Sequence, residues 1–163
     1  VDILVNNSGV MEGNPIDQVT DEQWEQVISV NVTGTFKCTR EGFKYMKSRG
    51  GKIINIGSIA GDSPRMFSSP YTTSKHAVRG LTKSAALDGR EYGISVGCLN
   101  PGNTMVERRS DGRSGTGKDE GPEILIDAND IARTALLMAS LPEGTNMLDV
   151  TVLPVKQEFI GRG

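Results

Sequence analysis

The chain has 163 residues, the size of one compact domain, with 36% hydrophobic and 23% charged residues. This composition excludes an intrinsically disordered chain, and no apolar run in the sequence approaches the length of a membrane span. Eighteen basic residues against 20 acidic ones give a net charge of −2, which argues against nucleic acid as the main partner. The two cysteines, Cys38 and Cys98, lie in apolar segments and predict buried, reduced thiols in a cytoplasmic protein.

Predicted strands and helices alternate from the start of the chain. The β-branched run 1–5 predicts a buried strand that ends in a turn cluster. Thr20 and Gln23 then form a capping box, and the apolar spacing that follows predicts one helix over 20–49. A second strand is predicted over 52–56.

The same alternation continues to the end of the chain. Ser69 is predicted to cap a helix that has Pro70 in its first turn, covers 70–92 and ends at Gly93. Strand–helix alternation indicates right-handed crossovers and a parallel sheet, hence a single α/β domain over 1–163. The remaining predicted elements are a strand over 94–99, a helix capped by Asp127 and a strand over 149–153.

A polar, glycine-rich stretch over 103–126 is predicted to be a flexible loop that borders the substrate. Within it, residues 112–117 have the composition of a phosphate-binding loop. No predicted strand leads into this segment and no helix begins after it, so a diphosphate would find no helix N-terminus there. We therefore do not interpret it as a phosphate site.

Three side chains between residues 58 and 75 suggest chemistry. Tyr71 and Lys75 are four residues apart on a predicted helix and share a face. Ser58 follows the carboxyl end of a parallel strand, where open α/β sheets bind their ligands. Oxidation of an alcohol by hydride transfer needs a base for the hydroxyl proton. A tyrosine has a pKa of about 10, and a nearby cation such as Lys75 favours its phenolate.

Asn31 adds an independent clue, because its amide falls on the apolar stripe of the helix predicted over 20–49. A buried amide is costly unless it is hydrogen bonded. Asn31 is therefore either a structural residue with satisfied hydrogen bonds or part of the same site as Ser58, Tyr71 and Lys75.

Taken together, the chain resembles the short-chain dehydrogenase/reductases over nearly its whole length. The matching motifs occur in the family's order: Asn6-Asn7-Ser8-Gly9, Val30-Asn31-Val32, Ile56-Gly57-Ser58, Tyr71 with Lys75, and Asn100-Pro101-Gly102. Ser8 stands where the family usually has alanine. Thr104 stands in an earlier position than the threonine that contacts the nicotinamide carboxamide in the family.

The resemblance implies a catalytic tetrad and a nicotinamide cofactor, NAD or NADP. The tetrad would be Asn31, Ser58, Tyr71 and Lys75, with Ser58 on the substrate oxygen and Asn31 helping to hold a relay water. No metal is expected, because no His, Cys or Asp cluster has ligand spacing. The residues implied to bind the cofactor are Asn6, Asn7, Ser8, Gly9, Tyr71, Lys75, Pro101, Gly102 and Thr104.

The resemblance also implies a fold and an assembly. The chain would form strands 4-5-6-7 of a truncated, Rossmann-like, doubly wound parallel sheet, with the glycine-rich phosphate loop lying before Val1. Strand 1–5 would then be an exposed edge, which invites pairing. A homodimer or homotetramer through the helices over 20–49 and 70–92 is implied, with strand 1–5 as a second candidate surface.

Two functions follow from these observations. The first is a cytoplasmic oxidoreductase that transfers hydride between an alcohol and a ketone or aldehyde, with NAD or NADP as cofactor and Tyr71 as acid and base. The second is a non-catalytic remnant that acts as a dimerising or binding module because it lacks the phosphate loop. The sequence has no basic stripe or amphipathic anchor to support a nucleic-acid or membrane partner.

Overall fold

The computed structural model describes residues 1–105 and 124–159. Its strands are β1 (Ile3–Asn6), β2 (Gly51–Ile56), β3 (Ile94–Pro101) and β4 (Asp149–Val152), and its helices are α1 (Asp21–Ile28), α2 (Thr35–Met46), α3 (Ser69–Gly89) and α4 (Ala128–Ser140). The four strands form one parallel sheet in the order β1-β2-β3-β4. This arrangement confirms the predicted Rossmann-like α/β fold.

The sheet is covered on both faces, as neighbouring residues of β2 illustrate. Ile53 packs with Met46 in the cluster beneath α2 and α3. Ile54 points the other way and packs with Met138 of α4. Because side chains alternate along a strand, helices on both faces bury the inner strands. The doubly wound arrangement is therefore confirmed for the described strands.

Local capping signals in the sequence are confirmed. Thr20 Oγ1 accepts a hydrogen bond from the Gln23 amide at 3.3 Å, and Gln23 Oε1 accepts one from the Thr20 amide at 3.1 Å. The Asp127 carboxylate accepts from the Asn129 amide at 2.8 Å. Gly93 ends the 3₁₀ turn that follows α3, and it has the left-handed conformation, with φ of 64°. These contacts are local, so the sequence alone predicts them well.

The helix predicted over 20–49 is helical from residue 21 to 46, but it is not α-helical throughout. A π-helical segment over Ser29–Gly34 separates α1 from α2. The apolar spacing of the sequence does not reveal this wider turn, because the contacts of Asn31 within it are made with residues distant in sequence. Such π segments occur frequently at functional sites.

The start of α3 also differs from the prediction. The N-cap is Ser68, and Ser69 is the first helical residue, so the prediction of Ser69 as the cap was wrong by one residue. Ser68 Oγ donates to the Arg65 carbonyl at 2.6 Å, which is a contact within the preceding loop. Pro70 lies in the first turn as predicted.

Two predictions of burial were wrong. Cys38 is exposed on α2, whereas Cys98 is buried as predicted. The first strand begins at Ile3, and the side chains of Ile3 and Val5 are 49% and 45% exposed. β1 is the edge strand, and Ile3 and Val5 lie on the face opposite Leu4, where α4 packs against β2 and β3.

The predicted loop over 103–126 falls largely on residues 106–123, which lie outside the described residues. Its two ends are joined by a parallel bridge between Thr104 and Ile126. The Met105 amide donates to the Ile126 carbonyl at 2.9 Å, and the Ile126 amide donates to the Asn103 carbonyl at 3.0 Å.

Among the helices of the described chain, none is both long and apolar enough to cross a bilayer.

Candidate active site

The carboxyl edge of the sheet brings together the end of β2 and the first turns of α3. Lys75 Nζ donates to the Ile56 carbonyl at 2.9 Å, two residues before Ser58. The same nitrogen lies 5.5 Å from the centroid of the Tyr71 ring, within range of a cation–π contact. The structure therefore places Tyr71 and Lys75 side by side, next to the strand end that leads to Ser58.

The ammonium group of Lys75 is almost completely shielded from water. Only 6% of the residue is exposed. Burial lowers its pKa from 10.5 to about 8, and the neighbouring Cys98 raises it slightly in the opposite direction. Near neutral pH most of the population thus keeps the positive charge beside Tyr71.

Ser58 is held by the turn that it begins. Its hydroxyl oxygen accepts a hydrogen bond from the Ala60 amide at 3.1 Å, as the cap of a 3₁₀ turn over Ile59–Gly61. The residue is 9% exposed. Since this contact uses the hydroxyl as an acceptor, its proton can still be donated to an oxygen of a ligand.

Asn31 is buried, and both the oxygen and the nitrogen of its side-chain amide are hydrogen bonded. Oδ1 accepts from the Val10 amide, and Nδ2 donates to the Val10 carbonyl and to Ser74 Oγ, each at 2.9 Å. Its main-chain carbonyl accepts from Thr35 Oγ1 at 2.8 Å. These bonds support the structural interpretation of the side chain, which fixes the loop after β1 against α3. A role for Asn31 in holding water stays a prediction.

The loop after β1 approaches the site through Gly9. A Cβ atom there would lie 3.5 Å from Asn31 Oδ1 and 3.8 Å from Lys75 Nζ, so the glycine leaves open the space beside both groups. Asn7 and Ser8 are exposed. Asn6 instead turns under the helices and donates to Asn55 Oδ1 at 2.8 Å. Gly9 of this motif therefore lies close to Lys75.

The turn after β3 lies at the same edge of the sheet. The Gly102 amide donates to the Val152 carbonyl at 2.7 Å and thereby joins the end of β3 to β4. Thr104 Oγ1 donates to the Gly102 carbonyl at 3.0 Å. Pro101 is the last residue of β3, so Pro101, Gly102 and Thr104 form one turn.

Sequence reasoning missed a polar layer beneath this edge. Asn55 Nδ2 donates to Thr82 Oγ1 at 2.9 Å, and both residues are completely buried. Arg79 donates to the Asp149 carboxylate at 2.7 Å, and this contact raises the pKa of the arginine. An asparagine within the apolar strand 52–56 was a usable signal for Asn55, whereas 70 residues of sequence separate Arg79 from Asp149. The described residues contain no cluster of His, Cys, Asp and Glu that could hold a metal ion.

The model of the short chain dehydrogenase family matches residues 1–116, about 70% of the chain. This match covers the region that holds Asn31, Ser58, Tyr71 and Lys75. The chain belongs to the short-chain dehydrogenase family.

Curated relatives agree with this assignment. A 3beta-hydroxysteroid dehydrogenase of Mediterraneibacter gnavus is 38% identical, over 68% of this chain and 41% of its own length. A 2-dehydro-3-deoxy-D-gluconate 5-dehydrogenase of Bacillus subtilis is 35% identical, over 86% of this chain and 58% of its own. The chain thus spans about two fifths to three fifths of the length of these relatives.

A solved structure shows the same architecture. The gluconate 5-dehydrogenase of Burkholderia cenocepacia, in complex with NADP and tartrate, superposes with a TM-score of 0.83 at 30% identity. The superposition covers 93% of this chain and 63% of the other. The described α/β sheet is therefore the sheet of a short-chain dehydrogenase.

Proposed function

We propose that this chain carries the catalytic residues of an oxidoreductase that transfers hydride between an alcohol and a ketone or aldehyde, with NAD or NADP as cofactor. The observation that carries the proposal is the position of Lys75. Its buried ammonium lies beside the Tyr71 ring and is hydrogen bonded to the strand end that leads to Ser58. A salt-bridged surface lysine would be solvated, whereas this one is held where its charge acts on a phenol.

In the proposed reaction Tyr71 is the acid and base. Tyr71 in its phenolate form accepts the hydroxyl proton of the alcohol while the alcohol carbon gives up a hydride. The alcohol thereby becomes the ketone or aldehyde. An ammonium within a few ångströms of a phenol favours the phenolate. The Ser58 hydroxyl donates to the substrate oxygen and holds it in place for Tyr71. In the opposite direction, Tyr71 returns the proton to the oxygen.

The residues around Lys75 fit the nicotinamide end of the cofactor, which accepts or supplies the hydride when bound. An ammonium has three donors, and the Ile56 carbonyl takes one of them, so hydroxyls of a ribose are suitable acceptors for another. The glycine at position 9 leaves room beside this nitrogen. Pro101, Gly102 and Thr104 would border the same end of the cofactor, as the family resemblance implies, and Asn7 and Ser8 would lie towards its adenosine end.

The test is turnover of the full chain with secondary alcohols and the oxidised cofactors, followed by nicotinamide absorbance. Replacing the proton-transfer group in Tyr71→Phe is expected to lower kcat by about 10²–10⁴-fold, as for other general acids and bases. Tyr45→Phe is the matched control, because Tyr45 is exposed on α2. Full turnover in Tyr71→Phe would contradict the role of Tyr71 as the acid and base.

A second candidate function, a dimerising or binding module, is favoured by the exposed apolar side chains. Ile3 and Val5 project from the edge strand β1, and Phe36 and Leu87 are 46% and 57% exposed on α2 and α3. These surfaces support a homodimer or homotetramer, through the helices over 20–49 and 70–92 and through strand 1–5. Such an assembly is also compatible with the proposed enzyme. We infer that the protein is cytoplasmic.

A further inference from the structure

Arg79 extends the stripe of side chains that includes the proposed base. Tyr71, Lys75 and Arg79 follow one another at intervals of four residues on α3, so they share one face of the helix. The side chain of Arg79 is 22% exposed. The third residue of the stripe therefore points, like the first two, toward the sheet and its loops.

Arg79 closes the turn that Ser58 opens. Its Nη1 donates to the Gly61 carbonyl at 2.9 Å and to the Asp62 carboxylate at 3.1 Å. Gly61 is the last residue of the 3₁₀ turn of which Ser58 is the N-cap. A guanidinium bond to the final carbonyl satisfies a group that the short turn leaves without a partner of its own.

The Ser58 turn lies directly on α3. A Cβ atom at Gly61 would lie 2.9 Å from the Lys75 carbonyl and 3.0 Å from Arg79 Cδ, so only glycine permits this approach without a shift. On the other side of Ser58, Lys75 Nζ holds the Ile56 carbonyl. Ser58 is thus bracketed by two contacts, one before it and one after it, and both come from α3.

Asp149 fixes the orientation of the Arg79 fork. Nε and Nη2 of Arg79 donate to Asp149 Oδ2 at 3.1 and 2.7 Å. The other carboxylate oxygen accepts from Asn100 Nδ2, one residue before Pro101. Three different nitrogens of the planar arginine fork bind Gly61 and Asp149 at once, an arrangement that the single nitrogen of a lysine cannot reproduce.

We propose that Arg79, oriented by Asp149, is a positioning residue that holds the Ser58 turn on α3 and so sets the Ser58 hydroxyl relative to Tyr71. The inference rests on the proposed function, in which Ser58 and Tyr71 act on the same substrate oxygen. It adds to that function a pair of residues that touch neither substrate nor cofactor.

The experiment compares amide hydrogen exchange, followed by NMR on the full chain, in wild type, Arg79→Met and Arg79→Lys. The Ala60 amide donates to Ser58 Oγ, so its protection reports directly on that hydroxyl. In Arg79→Met, exchange over 60–63 is expected to accelerate about ten- to a hundredfold, the effect of losing a hydrogen bond to a charged group. Arg79→Lys gives a smaller acceleration.

The control is Arg133→Met, which removes the same charge from an exposed position on α4. It should leave exchange over 60–63 unchanged. A purely structural role for Arg79 predicts equal acceleration throughout the sheet, including the core amides of Ile54 and Val96. That pattern, or unchanged exchange over 60–63 in Arg79→Met, would overturn the inference.

Turnover separates the inference from the function on which it rests. Arg79→Met should lower kcat about tenfold with a much smaller change in KM, because Ser58 is displaced from the substrate oxygen while the other contacts of substrate and cofactor stay in place. Wild-type kcat in Arg79→Met overturns the positioning role. Full turnover in Tyr71→Phe, or no turnover in wild type, contradicts the proposed function, and the exchange data still decide whether Arg79 holds the Ser58 turn.

Discussion

The carboxyl edge of the sheet and the outer edge at β1 are built in opposite ways. At the carboxyl edge the polar side chains of Asn31, Ser58 and Lys75 are nearly dry, and each is oriented by a hydrogen bond. At β1 the apolar side chains of Ile3 and Val5 are about half exposed. Oriented, desolvated polar groups suit a small ligand, whereas exposed apolar side chains on a strand edge suit a protein partner.

Burial and polarity together determine what each edge can bind. Burying a lysine costs free energy unless its charge interacts with a partner. An exposed isoleucine contributes no hydrophobic stabilisation until another surface covers it. We therefore propose a different kind of binding event for each of the two regions.

The sharpest contrast in stability uses the same substitution on neighbouring strands. Ile53→Ala removes a side chain that is 1% exposed in the core beneath α2 and α3 and should lower the free energy of unfolding by about 3–4 kcal/mol. Ile3→Ala on β1 should cost less than about 1 kcal/mol, because that side chain is half exposed. Urea unfolding of both variants gives the comparison. Equal losses would mean that β1 is covered in solution.

The cost of burying Lys75 predicts a pH dependence of stability. Below pH 8 the lysine is protonated in both states, and the folded state bears the desolvation cost. Between about 8 and 10.5 the folded state loses this proton first, so wild type should gain up to about 3 kcal/mol relative to Lys75→Met. Urea unfolding across this pH range measures the difference. Lys83→Met, at an exposed position of α3, is the control. The desolvation argument is contradicted if the difference in free energy of unfolding between wild type and Lys75→Met does not change with pH.

The outer edge predicts an effect on association. Lysines on an edge strand oppose pairing, so the double variant Ile3→Lys, Val5→Lys should weaken self-association about tenfold or more, equivalent to about 1.4 kcal/mol. Sedimentation over a range of concentrations measures it. Ile16→Lys is matched, since Ile16 is 80% exposed and lies outside the strand. An unchanged association constant in the double variant would place the interface elsewhere, with the helices as the next candidates.

Much of this fold follows from short-range signals. The capping box at Thr20, the cap at Asp127 and the turn at Gly93 depend on neighbours within a few residues, and the structure confirms each of them. The alternation of strands and helices likewise predicts the parallel sheet. The spacing of Tyr71 and Lys75 predicts a shared face, and the structure places Lys75 Nζ near the Tyr71 ring.

What the sequence did not predict depends on residues that are distant along the chain. The π segment at Ser29–Gly34 contains Asn31, which bonds to Val10 and Ser74, and helical spacing contains no trace of those contacts. The ion pair of Arg79 with Asp149 joins α3 to β4. The predicted burial of Cys38 was wrong for a related reason, because the residues adjacent to it in sequence do not tell which side of a helix faces the sheet.

The most direct test of the account is a titration of the full chain with NADH and NADPH, followed by nicotinamide fluorescence. The site at the carboxyl edge predicts saturable binding of at least one of them. In Gly9→Val, side-chain carbons fill the space beside Lys75 Nζ and Asn31 Oδ1, and the Kd should rise about tenfold or more. Failure of both nucleotides to bind at millimolar concentration, or binding that is indifferent to Gly9→Val, would contradict the account.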